Sequence, residues 1–537
     1  MKLSFKKIEI ILIALLYLSA LFIWTLPMRS TKMPFGDVDA SSHFTIGDYM
    51  ASYDKSILKI PYPVTFRYWG QNAFFPDYLW YPPQYWTNVA ISQVIGGERV
   101  LPVFLLVAIL CSIIILSSYL LIRSLYGFWA AFLSSFLLIF SIRDYMIYLF
   151  GQWPQSLSFA FTPLVLYCFY KYHQSYKENK TKPAYIYLMA LFLSSQFFFH
   201  PQGMIASAGT LILYNLILLI KNKKIPFNYK HLIISVVLFA AVSSVFAPLN
   251  IGEFFSSLVE KQSEAQGSAL QFDKLFKWYQ GIKGDPGLPD FYFTYNESHG
   301  SLLENIKNTW RAWWTLPFLL IGVFILFYRR KEEDYLLLSW LVAFYFLSRM
   351  IVWGFGSRDI RMFAYEAHIF YPIIAIGLLS LSSLPRQEIF RKYLKAGLIA
   401  VFFFFAIYVN GVSAYEVLKS QQNTIYRINP YQYEAAEWVK NNLPENADIY
   451  DFGTIGFQNY AAKVKWMLVL SQRHFIVGND QLNMTNYVFI DYSDAALAKN
   501  QNYFNSIKEY EQQQFQNFTP IYNKDNLIKV YKVGIKK

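Results

Sequence analysis

The sequence predicts a polytopic, all-α membrane protein: a bundle of about eleven transmembrane helices followed by an extracytoplasmic α/β domain. Three observations carry that reading. Hydrophobic residues make up 55% of the 537-residue chain and charged residues only 15%, against roughly 25% charged in an average soluble protein. Aromatic residues reach 20%, with 42 Tyr and 49 Phe, which suits helices in lipid with Tyr and Trp at the interfaces. The basic residues, finally, fall in short clusters between apolar runs.

The first span runs from about Ile8 to Leu26, behind Lys2, Lys6 and Lys7. It is long for a signal-peptide core and shows no convincing small-residue cleavage site, so a retained anchor is expected. Further runs long enough to span lie near 100–122, 125–142, 154–172, 184–200, 202–220, 232–250, 315–328, 335–353, 364–384 and 396–413. With the N-terminus inside, the inner loops contain Arg123, then Lys171, Lys177, Lys180 and Lys182, then Lys221, Lys223, Lys224 and Lys230. The later ones hold Arg329, Arg330 and Lys331, and Arg386, Arg391, Lys392 and Lys395. Every basic cluster between spans then falls on one side, which is the positive-inside pattern. The formal net charge of +13 is thus read as topogenic. No nucleic-acid-reading motif accompanies it, and no nucleic-acid partner is expected. Cys111 and Cys168 lie inside apolar runs, which excludes a disulfide framework or a cysteine-based zinc site.

This threading puts 27–99, 251–314 and the tail outside. The expected organisation is a transmembrane domain, 1–413, carrying the first two of these as outer loops, and an extracytoplasmic soluble domain, 414–537. The protein is expected in the cell membrane, in contact with membrane lipids, with its N-terminus cytoplasmic. In the tail, "NPYQYEAAEWVKNNLPENADIYDFG" predicts a helix and then a strand, bounded by Asn429-Pro430 and Leu443-Pro444. The alternation in "NLIKVYKVG" predicts a closing strand.

Charge is costly in hydrocarbon, so its depth is informative. The middles of nearly all spans are free of Asp, Glu, Lys and Arg, whereas ionisable residues gather at the outer ends. Asp37, Asp39 and His43 follow the first span, Arg143 and Asp144 the third, and His200 lies between the fifth and sixth. Arg349, Arg358, Asp359, Arg361, Glu366 and His368 surround the turn between the ninth and tenth. This pattern favours a site at the membrane–water boundary over a conduit through the bilayer.

Within "FGDVDASSHFTIGDYM", Asp37 and Asp39 offer two hard oxygen ligands suited to Mg²⁺ or Mn²⁺. Alternatively Asp39 caps a helix through the forties, with His43 on the same face four residues on. Asp144 either completes the metal site or pairs with Arg143. His200 can bind metal or substrate, or serve structure. In "GSRDIRMFAYEAHIF", Arg358 and Arg361 present forks suited to phosphate, with Glu366 and His368 behind them. The alternative is pairing with Asp359 and Glu366 and snorkelling at the interface. The aromatic run "YPVTFRYWGQNAFFPDYLWYPPQYW" either stacks on sugars or anchors a loop in the interface.

With these residues in place the chain resembles the GT-C class of membrane glycosyltransferases, which includes oligosaccharyltransferase catalytic subunits and protein mannosyltransferases. Members carry an acidic motif in the first extracytoplasmic loop, many spans and often a C-terminal outer domain. Asp37 and Asp39 fall where that motif belongs. The Asp39-to-His43 spacing is also similar to that of membrane proteins related to 6-pyruvoyl-tetrahydropterin synthase, themselves GT-C-like. In the tail, Tyr450, Asp451, Phe452 and Gly453 are similar to the W-W-D-Y-G motif by which oligosaccharyltransferases recognise an acceptor, but both tryptophans are absent. The second acidic pair of that family is reduced to Asp144.

The resemblance therefore extends to the superfamily and not to peptide N-glycosylation. It implies a GT-C-like fold and sugar transfer from a polyprenyl-phosphate donor to an extracytoplasmic acceptor (glycan, lipid or protein). Asp39 and Asp37 would be catalytic, Arg361 and Arg358 phosphate-binding, and Asp451 part of the acceptor domain. Two other classes compete: a lipid or solute transporter or flippase, and a non-catalytic envelope assembly protein.

Overall fold

The computed structural model describes residues 5–31, 33–36, 38–53, 84–223, 227–244, 313–347, 365–420, 428–453, 460–476 and 485–533. Each of the eleven apolar runs carries a helix. The first half contains α1 (Phe5–Trp24), α2 (Leu26–Thr31), α3 (Val38–Tyr53), α4 (Gln84–Gly96), α5 (Leu101–Tyr126) and α6 (Phe128–Leu138). It continues through α7 (Ile142–Phe150), α8 (Trp153–Ala160), α9 (Thr162–Lys177), α10 (Ala184–Phe199), α11 (Pro201–Asn222) and α12 (Tyr229–Ser244). Then follow α13 (Leu316–Arg329), α14 (Glu332–Leu347), α15 (Glu366–Leu381) and α16 (Glu388–Phe405), which passes through a π turn (Ala406–Gly411) into α17 (Val412–Ser420).

By length and composition, Lys6–Trp24, Leu101–Tyr126, Pro201–Asn222 and Glu388–Glu416 can each cross a membrane. Most of the others are 14 to 16 residues long, and at ~1.5 Å per residue they approach a ~30 Å hydrocarbon core without filling it. Apolar side chains on the outward faces, such as Leu18, Phe22, Ile212, Phe324 and Phe404, are exposed, as expected of helices solvated by lipid. Helices α13 and α15 cross at Gly322 and Gly377, where a Cβ on either residue collides with the facing backbone. Small residues allow such close approach between membrane helices.

The run 154–172 is interrupted, and the local sequence explains why. Gly151 ends α7 in a left-handed conformation, φ 93°, which glycine adopts without steric cost. Pro154 starts α8 and Pro163 starts α9; proline suits a first helical turn but cannot continue a helix already under way. The outcome is a two-turn α8 with all eight residues buried. Helices α4 and α7 were not foreseen as separate elements.

The tail contains α18 (Pro430–Asn442), α19 (Tyr460–Ser471), α20 (Ser493–Leu497) and α21 (Gln501–Phe515), with β1 (Asp448–Phe452), β2 (His474–Ile476), β3 (Tyr487–Asp491), β4 (Tyr522–Lys524) and β5 (Ile528–Lys532). The expected opening helix, first strand and closing strand are α18, β1 and β5. Asn429 and Gln432 form a reciprocal capping box at the start of α18. The sheet order is β2-β1-β3-β5-β4, with β2, β1 and β3 parallel and β5 antiparallel to both β3 and β4. Strand alternation sorts its two faces. Ile449, Phe489, Ile528 and Val530 join the core that runs on into the helical bundle, whereas Tyr450, Val488, Ile490 and Tyr531 pack with Ile507 and Phe515 of α21.

Candidate functional site

Ion pairs mark one end of the bundle. Arg123 binds Glu9 at 2.6 Å, Lys177 binds Glu332 at 2.7 Å, and Lys221 donates to the Arg330 carbonyl at 3.3 Å. Asp334 receives Arg329 and the Tyr126 hydroxyl. Arg123, Lys177, Lys221, Arg329 and Arg330, all assigned to inner loops, thus share one end of the helices.

Of the described residues assigned to the outer ends, His43, His200 and His368 lie beside α8. Asp39 is part-exposed in the first turn of α3. It follows Val38 into the helix. Its neighbour Ala40 is pressed against Gly36 and Gly151, positions where a Cβ collides with it, so the start of α3 lies against the end of α7. His43 is buried, its ring 6.3 Å from Trp153 at the start of α8. Trp86 of α4 donates its indole N–H to His43 Nδ1 at 3.0 Å, which leaves the proton of a neutral ring on Nε2.

His200 caps α11, its Nδ1 accepting the Gln202 N–H at 3.3 Å. Its carbonyl accepts from Ser158 of α8 at 2.6 Å. Gly203 lies so close to Ser158 that a Cβ does not fit.

At the far end of α8, the Phe159 ring stacks on Tyr365 at 3.8 Å and 9°. Tyr365 precedes α15, whose first turn holds Glu366 and His368, both buried. His368 Nε2 donates to Asp144 Oδ1 at 2.8 Å, with the two side chains 3% and 5% exposed. Asp144 Oδ2 accepts the Ser141 hydroxyl. Asp144 is therefore engaged by a histidine over two hundred residues away in sequence and by its own helix cap. A small cleft is lined by Phe159, Ala206, Trp340, Phe344, Leu347, Tyr365 and His368.

Asp37, Arg358 and Arg361, with Arg349 and Asp359, lie outside the described residues, as does most of the aromatic run before Trp86. Asp451 is fully buried in β1, flanked by β2 and β3, and faces the same side as Ile449. It presents no surface to an approaching chain. Among the described residues no three His, Cys, Asp or Glu side chains converge as a metal site, and Asp144 is already committed to His368 and Ser141. The described residues thus do not assemble a cation site by themselves.

A second group was not singled out from sequence. Asp48, in the same segment as Asp39, is buried and holds Arg99 through Nε at 2.9 Å and Nη2 at 2.7 Å. Arg99 donates onward to the carbonyls of Val469 and Leu470 at 3.0 and 3.1 Å, and Gln472 donates to Asp48 at 3.0 Å. Burial opposes charge on Arg99, but the Asp48 carboxylate, helped by Glu437, outweighs it and raises the guanidinium pKa. Beside this clamp, Trp466 donates to the Gly36 carbonyl at 2.9 Å and packs on Phe44 and Phe104. Helix α19 is thereby docked onto the loop that leads into Asp39. An arginine beside the outer end of an apolar run was the one available signal for this clamp; nothing in the sequence marked Trp466.

These features define a multi-pass membrane protein with a GT-C-like fold. Its structure is similar to the apo oligosaccharyltransferase of Archaeoglobus fulgidus, with TM-score 0.57 and 13% identity over 94% of this chain and 68% of that one. The same archaeal enzyme, AglB, in complex with an inhibitory peptide and a dolichol-phosphate gives TM-score 0.55 and 14% identity over 95% and 69%. ArnT from Cupriavidus metallidurans bound to undecaprenyl phosphate gives TM-score 0.56 and 10% identity over 98% of both chains. At these identities the likeness shows the fold. No curated protein sequence matches the chain. The chain belongs to DUF6541, a family of unknown function, whose model matches residues 10–362.

Proposed function

We propose that this protein is an integral membrane glycosyltransferase that moves a sugar from a polyprenyl-phosphate-linked donor to an acceptor on the outer face of the membrane. The observation that carries the reading is the GT-C-like fold over 98% of both chains in the comparison with ArnT, which was solved with undecaprenyl phosphate bound. The clustering of His43, Asp144, His200 and His368 around α8, beside the Asp39 turn, supports it by supplying ionisable groups at one end of an otherwise apolar bundle. In this reading the N-terminus is cytoplasmic, and the tail from about residue 414 is an extracytoplasmic domain that helps to receive the acceptor.

A polyprenyl-phosphate donor already carries a good leaving group, so no strong acid is required. Arg358 and Arg361 stabilise the charge that develops on the phosphate as the sugar departs. Asp39 serves as base toward the acceptor hydroxyl or, with Asp37, as ligand to Mg²⁺ or Mn²⁺; such a cation would supply further charge stabilisation. Asp144 does not need to join that ligand set.

The test is to incubate purified protein with a panel of polyprenyl-phosphate sugars, with and without Mn²⁺, and follow sugar loss by mass spectrometry. Wild-type protein should consume one class of donor, and Asp39→Ala should abolish transfer while inserting and folding normally. Full activity in Asp39→Ala removes Asp39 from the reaction. Failure of the wild type on every donor overturns the function.

A further inference from the structure

Asp144 and His368 are joined more tightly than a surface pair. The carboxylate accepts from His368 Nε2 on one oxygen and from Ser141 on the other, so it is held as an acceptor and the imidazole must donate through Nε2. The ring's second nitrogen, Nδ1, is buried and has no hydrogen-bond partner among the described residues, although His368 lines the cleft between α8, α11, α14 and α15. Leaving a buried polar atom unpaired is costly, and such atoms ordinarily find a partner. The cleft that His368 lines has room for a water-sized group such as a hydroxyl. The rest of the lining is largely aromatic: Phe159, Trp340, Phe344 and Tyr365.

Charge selects the kind of group that fits. With a neutral imidazole the dyad carries the single negative charge of Asp144, which disfavours a phosphate at Nδ1. A hydroxyl that gives its proton to Nδ1 creates an imidazolium beside that carboxylate and neutralises the dyad. Helix α8 carries no charged side chain, and Arg329, Glu332 and Asp334 of α13 and α14 are paired at the opposite end of the bundle. Glu366 sits on the first turn of α15 itself, and Cys111 of α5 and Tyr145 of α7 are titratable neighbours of Asp144.

We propose that His368, oriented by Asp144, is the base that receives the proton of the acceptor hydroxyl, with Nδ1 as the accepting atom. As the acceptor oxygen bonds to the anomeric carbon, its O–H bond breaks and the proton passes to Nδ1. The bond from that carbon to the phosphate oxygen breaks, and its electron pair leaves with the polyprenyl phosphate. The imidazolium later returns its proton to water. This assignment rests on the glycosyltransferase reading and leaves Asp39 to act with Asp37.

The test compares wild type, His368→Gln and Asp144→Asn on a donor that the wild type consumes. The Gln amide nitrogen can keep the bond to Asp144 but offers no basic nitrogen, so the fold is preserved while the base is lost. Expected are a fall in kcat of about 10²- to 10⁴-fold for His368→Gln and a donor KM changed less than about 3-fold. The acidic limb of the kcat/KM profile seen in the wild type should also disappear. Asp144→Asn should also lower kcat, because the ring loses the carboxylate that fixes Nε2 as its donating atom. A wild-type rate in His368→Gln, or an unchanged acidic limb, overturns the assignment of the base and leaves the glycosyltransferase reading standing. If the wild type transfers no sugar from any donor, both fall together.

Discussion

At the scale of single residues, the groups that decide this structure are pairs made across long sequence distances. Asp144 binds His368, more than two hundred residues away in sequence, because a facing helix can present a donor directly to it. The tail holds another such centre. Glu511 on α21 accepts from Lys529 at 2.8 Å and from the hydroxyls of Tyr492 and Tyr531. Burial pushes its carboxyl pKa up, but the lysine and two phenols outweigh burial and hold it below the ordinary 4.5. A carboxyl whose folded pKa is depressed contributes stability above its unfolded value and loses it as pH falls toward the folded one. The melting temperature of the purified full chain should therefore decline as pH drops below about 4.5, and Glu511→Gln should flatten that decline while lowering the plateau at neutral pH. Equal slopes in the two proteins would refute this role for Glu511.

At the scale of elements, α8 organises the candidate site. Its ends are set by Gly151, Pro154 and Pro163, and it carries Trp153 toward His43, Ser158 toward His200 and Phe159 toward Tyr365. Those breakers are visible in the sequence. Hydropathy alone reads through them, because a buried two-turn helix is as apolar as the span it interrupts. The crossing of α13 and α15 matters similarly, since α15 delivers His368. Gly377 faces the Phe318 carbonyl with no room for a side chain. Gly377→Leu should force these helices apart, destabilise the protein by at least the ~1–3 kcal/mol typical of overpacking, and lower its melting temperature in detergent without preventing membrane insertion. A melting temperature equal to wild type would mean that this crossing tolerates separation.

At the scale of the whole molecule, the ion pairs of Glu9, Arg123, Lys177, Glu332, Arg329 and Asp334 collect at one end and the histidine cluster at the other. Topology follows as a measurable expectation. With buried Cys111 and Cys168 unreactive, a cysteine placed at Lys180 should react with an impermeant maleimide only after the cell membrane is opened. One placed at the exposed Asn523 should react in intact cells. The reverse pattern would invert the orientation and move the candidate site to the cytoplasmic face. The tail is not a detached appendage: Arg99 joins α19 to Asp48 of α3, and Trp466 joins it to the Gly36 carbonyl before Asp39.

By itself the sequence determined the multi-pass membrane class, the placement of the apolar helices and the strands that open and close the tail. Those properties follow from periodicity, length and the energetic cost of charge in lipid, all of which are local. Only the tertiary structure decided which acid meets which histidine, that Asp48 and Arg99 bridge the bundle to the tail, and that Asp451 is buried in a sheet. Those outcomes depend on which helix faces which. Hydrophobic spans in lipid look alike from their own sequences, and the small residues and helix breakers that orient them act only once the helices are packed.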